Sequence, residues 1–173
     1  RHLERAVREY GFKAAHVHPF GWGLPLNSRE WWPFYTKAAE LDIPVLFQAG
    51  HSAEFMPSAC GKPILLDDIA IWFPELNLVG AHTGWPWCEE MIAMAWKHEN
   101  VFIGSDAHSP KYWPEAFVKY IDSYGQDKVL FGTDFPVLGF KRTMDEVLAL
   151  KLRPDPLRKF LRDNALRVYK LEG

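Results

Sequence analysis

Five short apolar runs divide the chain: residues 12–19 (FKAAHVHP), 43–51 (IPVLFQAGH), 76–84 (LNLVGAHTG), 100–108 (NVFIGSDAH) and 128–136 (KVLFGTDFP). Each is rich in β-branched or aromatic residues and closes on glycine, proline or a polar group, which is the pattern of a buried strand. Between them the spacing becomes helical. Residues 86–98 open with proline at a helix N1 position and carry Glu89 and Glu90 in the first turns. Met91, Ile92, Ala95 and Trp96 then fall on one face. Residues 114–124 begin the same way, with Phe117, Tyr120, Ile121 and Tyr124 at helical intervals. Residues 29–41 read as a helix capped by Asn27 or Ser28, and 67–73 as a shorter one. Leu157, Phe160, Leu161, Ala165 and Val168 make the last helix amphipathic.

Strands alternating with helices predict an α/β fold with a mostly parallel sheet. The strand ends recur at roughly the interval of a βα unit. Five units suit a small doubly wound sheet; a closed eight-stranded barrel needs about 250 residues. The length of 173 residues fits one domain over 1–173.

Composition narrows the partners. Hydrophobic residues make up 48% and charged residues 24%, ordinary for a soluble fold. A net charge of −2 gives no reason to expect nucleic acid or an anionic membrane as partner. No apolar run reaches transmembrane length, and the opening RHLERAVREY has no signal-peptide character. A cytoplasmic location is the expectation. Cys60 and Cys88 read as free thiols. Several of the eight tryptophans stand beside Pro or Gly (FGWG, EWWPF, GWPWCEE, KYWPE), so some are candidates to line a pocket.

In parallel α/β folds the chemistry gathers at the C-terminal ends of the strands. The first run ends in His16 and His18, the second in Gln48 and His51, and the third in His82. The fourth ends in Ser105, Asp106 and His108, and the fifth in Asp134. Imidazoles and carboxylates converging on one rim make an N/O metal site suited to zinc and other divalent ions. Such an ion activates water or polarises a substrate oxygen. An acid at the tip of a buried strand also needs a partner to offset desolvation.

Taken singly, each residue has a plainer reading. Asp134 alone fits a turn, His51 or His82 alone a hydrogen-bonded core histidine, and His108 an exposed or pocket-lining position. His16-Val17-His18 has H-x-H spacing, which puts both imidazoles on one face of a strand. The joint placement of His51, His82 and Asp134 at three strand ends carries the site reading. No Gly-rich phosphate loop, G-x-S-x-G elbow or C-x-x-C competes with it.

GAHTGWPW, NVFIGSDAHSPKYWP, KVLFGTDFP and the closing FLRDNALRVYKL resemble the amidohydrolase-related family. This is the branch of metal-dependent (β/α)8 barrels that includes aminocarboxymuconate-semialdehyde and resorcylate decarboxylases beside assorted hydrolases. The resemblance covers nearly the whole chain. It implies TIM-barrel-like units corresponding to about strands four to eight, the C-terminal portion of a barrel. It implies that His51 and Asp134 bind the metal, that His82 and Asp134 are catalytic, and that Asn164 is structural. The cofactor it implies is a divalent metal, zinc first, with manganese and magnesium as alternatives. Two departures stand out. The chain has no counterpart of the first-strand H-x-H or E-x-H motif, and GSDAH stands where relatives often carry a Thr-Ser pair.

Three functions follow as expectations. A metal-dependent hydrolase of a small carboxylic or cyclic substrate comes first. A non-oxidative decarboxylase of an aromatic or dienoic acid comes second, with His82 protonating the carbon that loses CO2. The third is a binding module without catalysis. A small-molecule substrate is expected as partner, and homodimerisation is a property the family implies.

Overall fold

The computed structural model describes residues 1–172. Five strands form one parallel sheet: β1 (Ala15–Val17), β2 (Val45–Phe47), β3 (Leu78–Gly80), β4 (Val101–Gly104) and β5 (Val129–Leu130). They lie in the order of the sequence, each paired with the next. A doubly wound sheet reverses its strand order at a switch point; this sheet never does. Every crossover runs the same way, as in an arc of a (β/α) barrel.

Helix α1 (His2–Tyr10) precedes β1. Crossovers α2 (Trp32–Glu40), α3 (Leu66–Trp72), α4 (Cys88–Lys97) and α5 (Glu115–Asp122) link successive strands. Alternation along each strand sorts the two faces. Ala15, Val17, Val45, Phe47, Leu78, Val101, Ile103 and Val129 face the helices and join Tyr35, Leu66, Ile69, Met91, Phe117 and Tyr120 in the main core. The opposite face presents Leu46, Val79, Phe102 and Leu130.

Beyond β5 the chain forms α6 (Phe140–Ala149), α7 (Pro154–Arg158), a π-helical turn (Lys159–Asp163) and α8 (Asn164–Val168). Helix α8 covers that opposite face with Ala165, Val168 and Tyr169. Asn164 anchors it: its Nδ2 donates to Gln126 O (2.9 Å) and Val129 O (2.8 Å). The structural role implied for Asn164 is what the hydrogen bonds describe.

Several local expectations need correction. Neither Asn27 nor Ser28 caps a helix. Residues 29–31 form a 3-10 turn, Ser28 Oγ bonds Glu30, and Asn27 Nδ2 donates to Asp68 (2.6 Å). Helix α4 begins two residues after Pro86. Trp96 is 72% exposed, because the buried stripe of α4 runs through Cys88, Met91, Ile92, Met94 and Ala95. Tyr124 lies past the end of α5 and is exposed. Helices α1 and α6 were not legible as elements.

Candidate metal centre and its cleft

The loops after β2, β3, β4 and β5 meet at one end of the sheet. Gln48, His51, Ala53, His82, Ala107, His108, Asp134 and Val137 line a cleft there of about 200 Å³. The backbone at its floor is held in unusual conformations. His82, Thr83, Ala107 and Asp134 all have positive φ (58°, 55°, 65° and 54°). Such left-handed non-glycine residues cost of order 1 kcal/mol or more and concentrate at functional sites.

His82, Asp106 and Asp134 converge, each offering one ligand atom within 4.8 Å of the others. Asp106 is central. Its Oδ1 accepts the His82 backbone N–H (3.3 Å), and its Oδ2 lies 2.7 Å from His82 Nδ1. Two glycines make room for it. A Cβ on Gly104 would come 2.6 Å from Asp106 Oδ1, and one on Gly132 3.0 Å from Asp106 Cβ. Among the described residues Asp106 is the one partner of His82 Nδ1, and His82 Nε2 is buried with none. Buried imidazole nitrogens rarely go unsatisfied. Burial opposes a charged His82, but the Asp106 contact and then the Asp134 charge outweigh it and raise its pKa. Burial would likewise raise Asp106, and His82 overrides it and holds the carboxyl below its usual range. The corner gathers two carboxylates beside an imidazole with one open nitrogen, a donor set that a divalent cation with N/O preference fits.

The predicted residues distribute as follows. His82 and Asp134 belong to the trio. Asp134 is exposed rather than buried, because β5 ends at Leu130 and the chain turns outward before it. The desolvated carboxylate at a strand end is Asp106. His51 lies outside the trio but lines the same cleft, edge-on to Trp85 (4.7 Å between centroids). His108 also lines it, 6.2 Å from His51, and burial, then His82 and His51, lower its pKa. His18 is tied into its own loop, accepting the Gly21 N–H (3.4 Å) and standing 3.8 Å from Glu54. His16 is exposed on β1. Sequence reasoning set Asp106 beside the others at a strand end and gave it no role. Its signal was the acid one residue past Ser105, on the strand between those of His82 and Asp134.

Known proteins agree with this architecture. The profile described as Amidohydrolase matches residues 1–171, and the chain belongs to that family. The chain is 32% identical over 98 aligned positions to a 2-keto-4-carboxy-3-hexenedioate hydratase from Sphingobium sp. strain SYK-6, covering 47% of this chain and 29% of the hydratase. An uncharacterized TIM-barrel protein from Bordetella bronchiseptica superposes with a TM-score of 0.87 at 26% identity, over 98% of this chain and 61% of its own. A dihydroxybenzoic acid decarboxylase from Polaromonas sp. JS666, solved with manganese and 2-nitroresorcinol, superposes at 0.74 and 19% identity, over 99% and 64%. The chain thus spans about three fifths of the length of these barrels and less of the hydratase. The five-stranded sheet fits a partial TIM barrel. Among the described residues no helix is long and apolar enough to cross a membrane.

Proposed function

We propose that this chain is the C-terminal portion of a metal-dependent barrel enzyme that acts on a small carboxylic acid, with decarboxylation as its reaction. The observation that carries the reading is the convergence of His82, Asp106 and Asp134, with His82 Nε2 buried and without a partner. Asp106 and Asp134 would hold the metal, with the His51 imidazole beside them on the cleft wall, which leaves His82 Nε2 free for proton chemistry. One imidazole and two carboxylates suit manganese or zinc, and magnesium less well. A bound divalent ion supplies positive charge that polarises an oxygen of the substrate. Asp106 orients His82, and Asp134 reaches the cleft from its exposed turn. The His82 imidazole is the group that can carry a proton to the carbon from which CO2 departs. The ring walls at His51 and His108, both packed against Trp85, suit a planar substrate body.

Hydrolysis is the second reading, and the exposure of Asp134 favours it. A carboxylate open to solvent can accept a proton from an attacking water, with His82 protonating the leaving group. Product analysis separates the two, since only decarboxylation releases CO2. The first test is metal content by elemental analysis of the chain and of Asp134→Ala. About one equivalent of manganese or zinc, lost in the variant, is expected; no metal in either sinks the reading.

A further inference from the structure

Two residues beyond Asp106 the chain makes a strained turn that nothing in the metal trio requires. The His108 N–H donates to Asp106 O (2.8 Å), with Ala107 between them at φ 65°. Three-residue turns of this hand are rare and costly for a residue with a Cβ. The other side of His108 is pinned as well: Trp113 Nε1 donates to His108 O (2.9 Å). Trp113 is itself buried in the core against Phe117 and Phe160. The His108 backbone is thus fixed from both directions.

Its ring is fixed too. It stacks obliquely on Trp85 (5.4 Å between centroids, 35° between planes), and Trp85 in turn meets the edge of His51. The ring lines the cleft. Among the described residues its nitrogens make no hydrogen bond within the protein, whereas Trp85 covers a ring face, which has no polar atom. An imidazole held this firmly beside a cation site, with its N–H uncommitted, is a preorganised donor for a ligand oxygen.

We propose that His108 is the residue that recognises an anionic oxygen of the substrate, a carboxylate on a planar body, and that Trp85 backs it. The inference rests on the site reading above and assigns that site its recognition group. A neutral imidazole has one N–H to donate and needs no charge for the role. A planar substrate in the cleft meets His108 with its acidic edge, and Trp85 behind the ring holds that imidazole in place.

The test is calorimetric titration of the chain with 2,6-dihydroxybenzoate and with resorcinol, which lacks the carboxylate. Each titration is run on manganese-loaded and on chelator-treated protein. His108→Phe keeps the stack on Trp85 and removes the donor; His108→Gln restores a donor. Thermal melts of both variants confirm folding. Removing a hydrogen bond to a charged group predicts an affinity loss of about tenfold to a hundredfold for dihydroxybenzoate in His108→Phe. His108→Gln should lose less, with resorcinol affinity and manganese content unchanged in both. Equal binding of dihydroxybenzoate by the wild type and His108→Phe overturns the proposal. Equal loss for both probes does so too, since it would assign His108 to stacking alone. If the chain takes up no manganese yet the carboxylate preference persists and depends on His108, the metal reading falls and the recognition role stands. If manganese binds and neither protein form distinguishes the probes, the recognition role falls and the metal site stands.

Discussion

Asp106 carries more of the site than its exposure or its place in the sequence suggests. It touches both the backbone and the ring of His82, and Gly104 at the end of its own strand and Gly132 after β5 leave space for it. Asp106→Asn keeps the shape and removes the charge. It should weaken manganese binding at least tenfold while leaving the fold intact, since one anionic oxygen ligand becomes a neutral amide. Calorimetric titration with the metal, beside a thermal melt, reads both. Unchanged affinity would assign the site to His51 and Asp134 with other partners. The pattern of polar residues at strand ends was enough to find His82 and Asp134. It was not enough to rank Asp106 above them, because burial and pairing across strands are three-dimensional facts. It also misjudged which acid is desolvated: Asp134 follows a strand in sequence but lies on an outward turn, and only the path of the backbone reveals that.

At the scale of elements, the outer helices are held to each other as well as to the sheet. Lys97 Nζ and His98 Nε2, at the end of α4, each lie 2.6 Å from Asp67 Oδ1 in the first turn of α3. Hydrogen bonds from Lys97 and then His98 hold the Asp67 carboxyl below its ordinary range. A carboxyl depressed in the folded state contributes stability that is fully present above its unfolded value, near 3.8, and is lost as pH falls through the lower folded value. Asp67→Asn should therefore lower stability by about 1 kcal/mol at pH 7, a figure kept small by partial exposure. The gap from the wild type should close below pH 3.8. Urea midpoints at a series of pH values measure it, and a gap independent of pH would mean that packing, not charge, joins the helices. The five strands, the four crossover helices and the closing helical stretch from Leu157 to Val168 are legible because their periodicities differ and glycine or proline separates them. Helices α1 and α6 were missed: neither buries a continuous apolar stripe, and α6 has only Thr143 and Val147 buried. Exposed Trp96 and Tyr124 misled in the opposite direction, since helical spacing shows that residues share a face but not which face meets the core.

On the scale of the whole molecule, what packs on the sheet and what gathers at its strand ends differ. Helix α8 closes one face through Asn164, Val168 and Tyr169. At the C-terminal ends of the strands, strained loops after β3, β4 and β5 bring one imidazole and two carboxylates together. A single ion would tie the loops after three strands to one another, which makes metal binding a statement about the stability of the whole sheet. A ligand at about a hundred times its dissociation constant stabilises the state that binds it by about 2.7 kcal/mol. For a chain of this length that corresponds to a melting-point rise on the order of 5 to 10 °C. Manganese or zinc should produce that rise, a chelator should reverse it, and Asp134→Ala should abolish it. Differential scanning calorimetry makes the measurement without any knowledge of the substrate. A melting point indifferent to metal in the wild type would mean that the left-handed turns at His82 and Asp134 are stabilised by the protein alone, and that the strain at this rim serves something other than a cation.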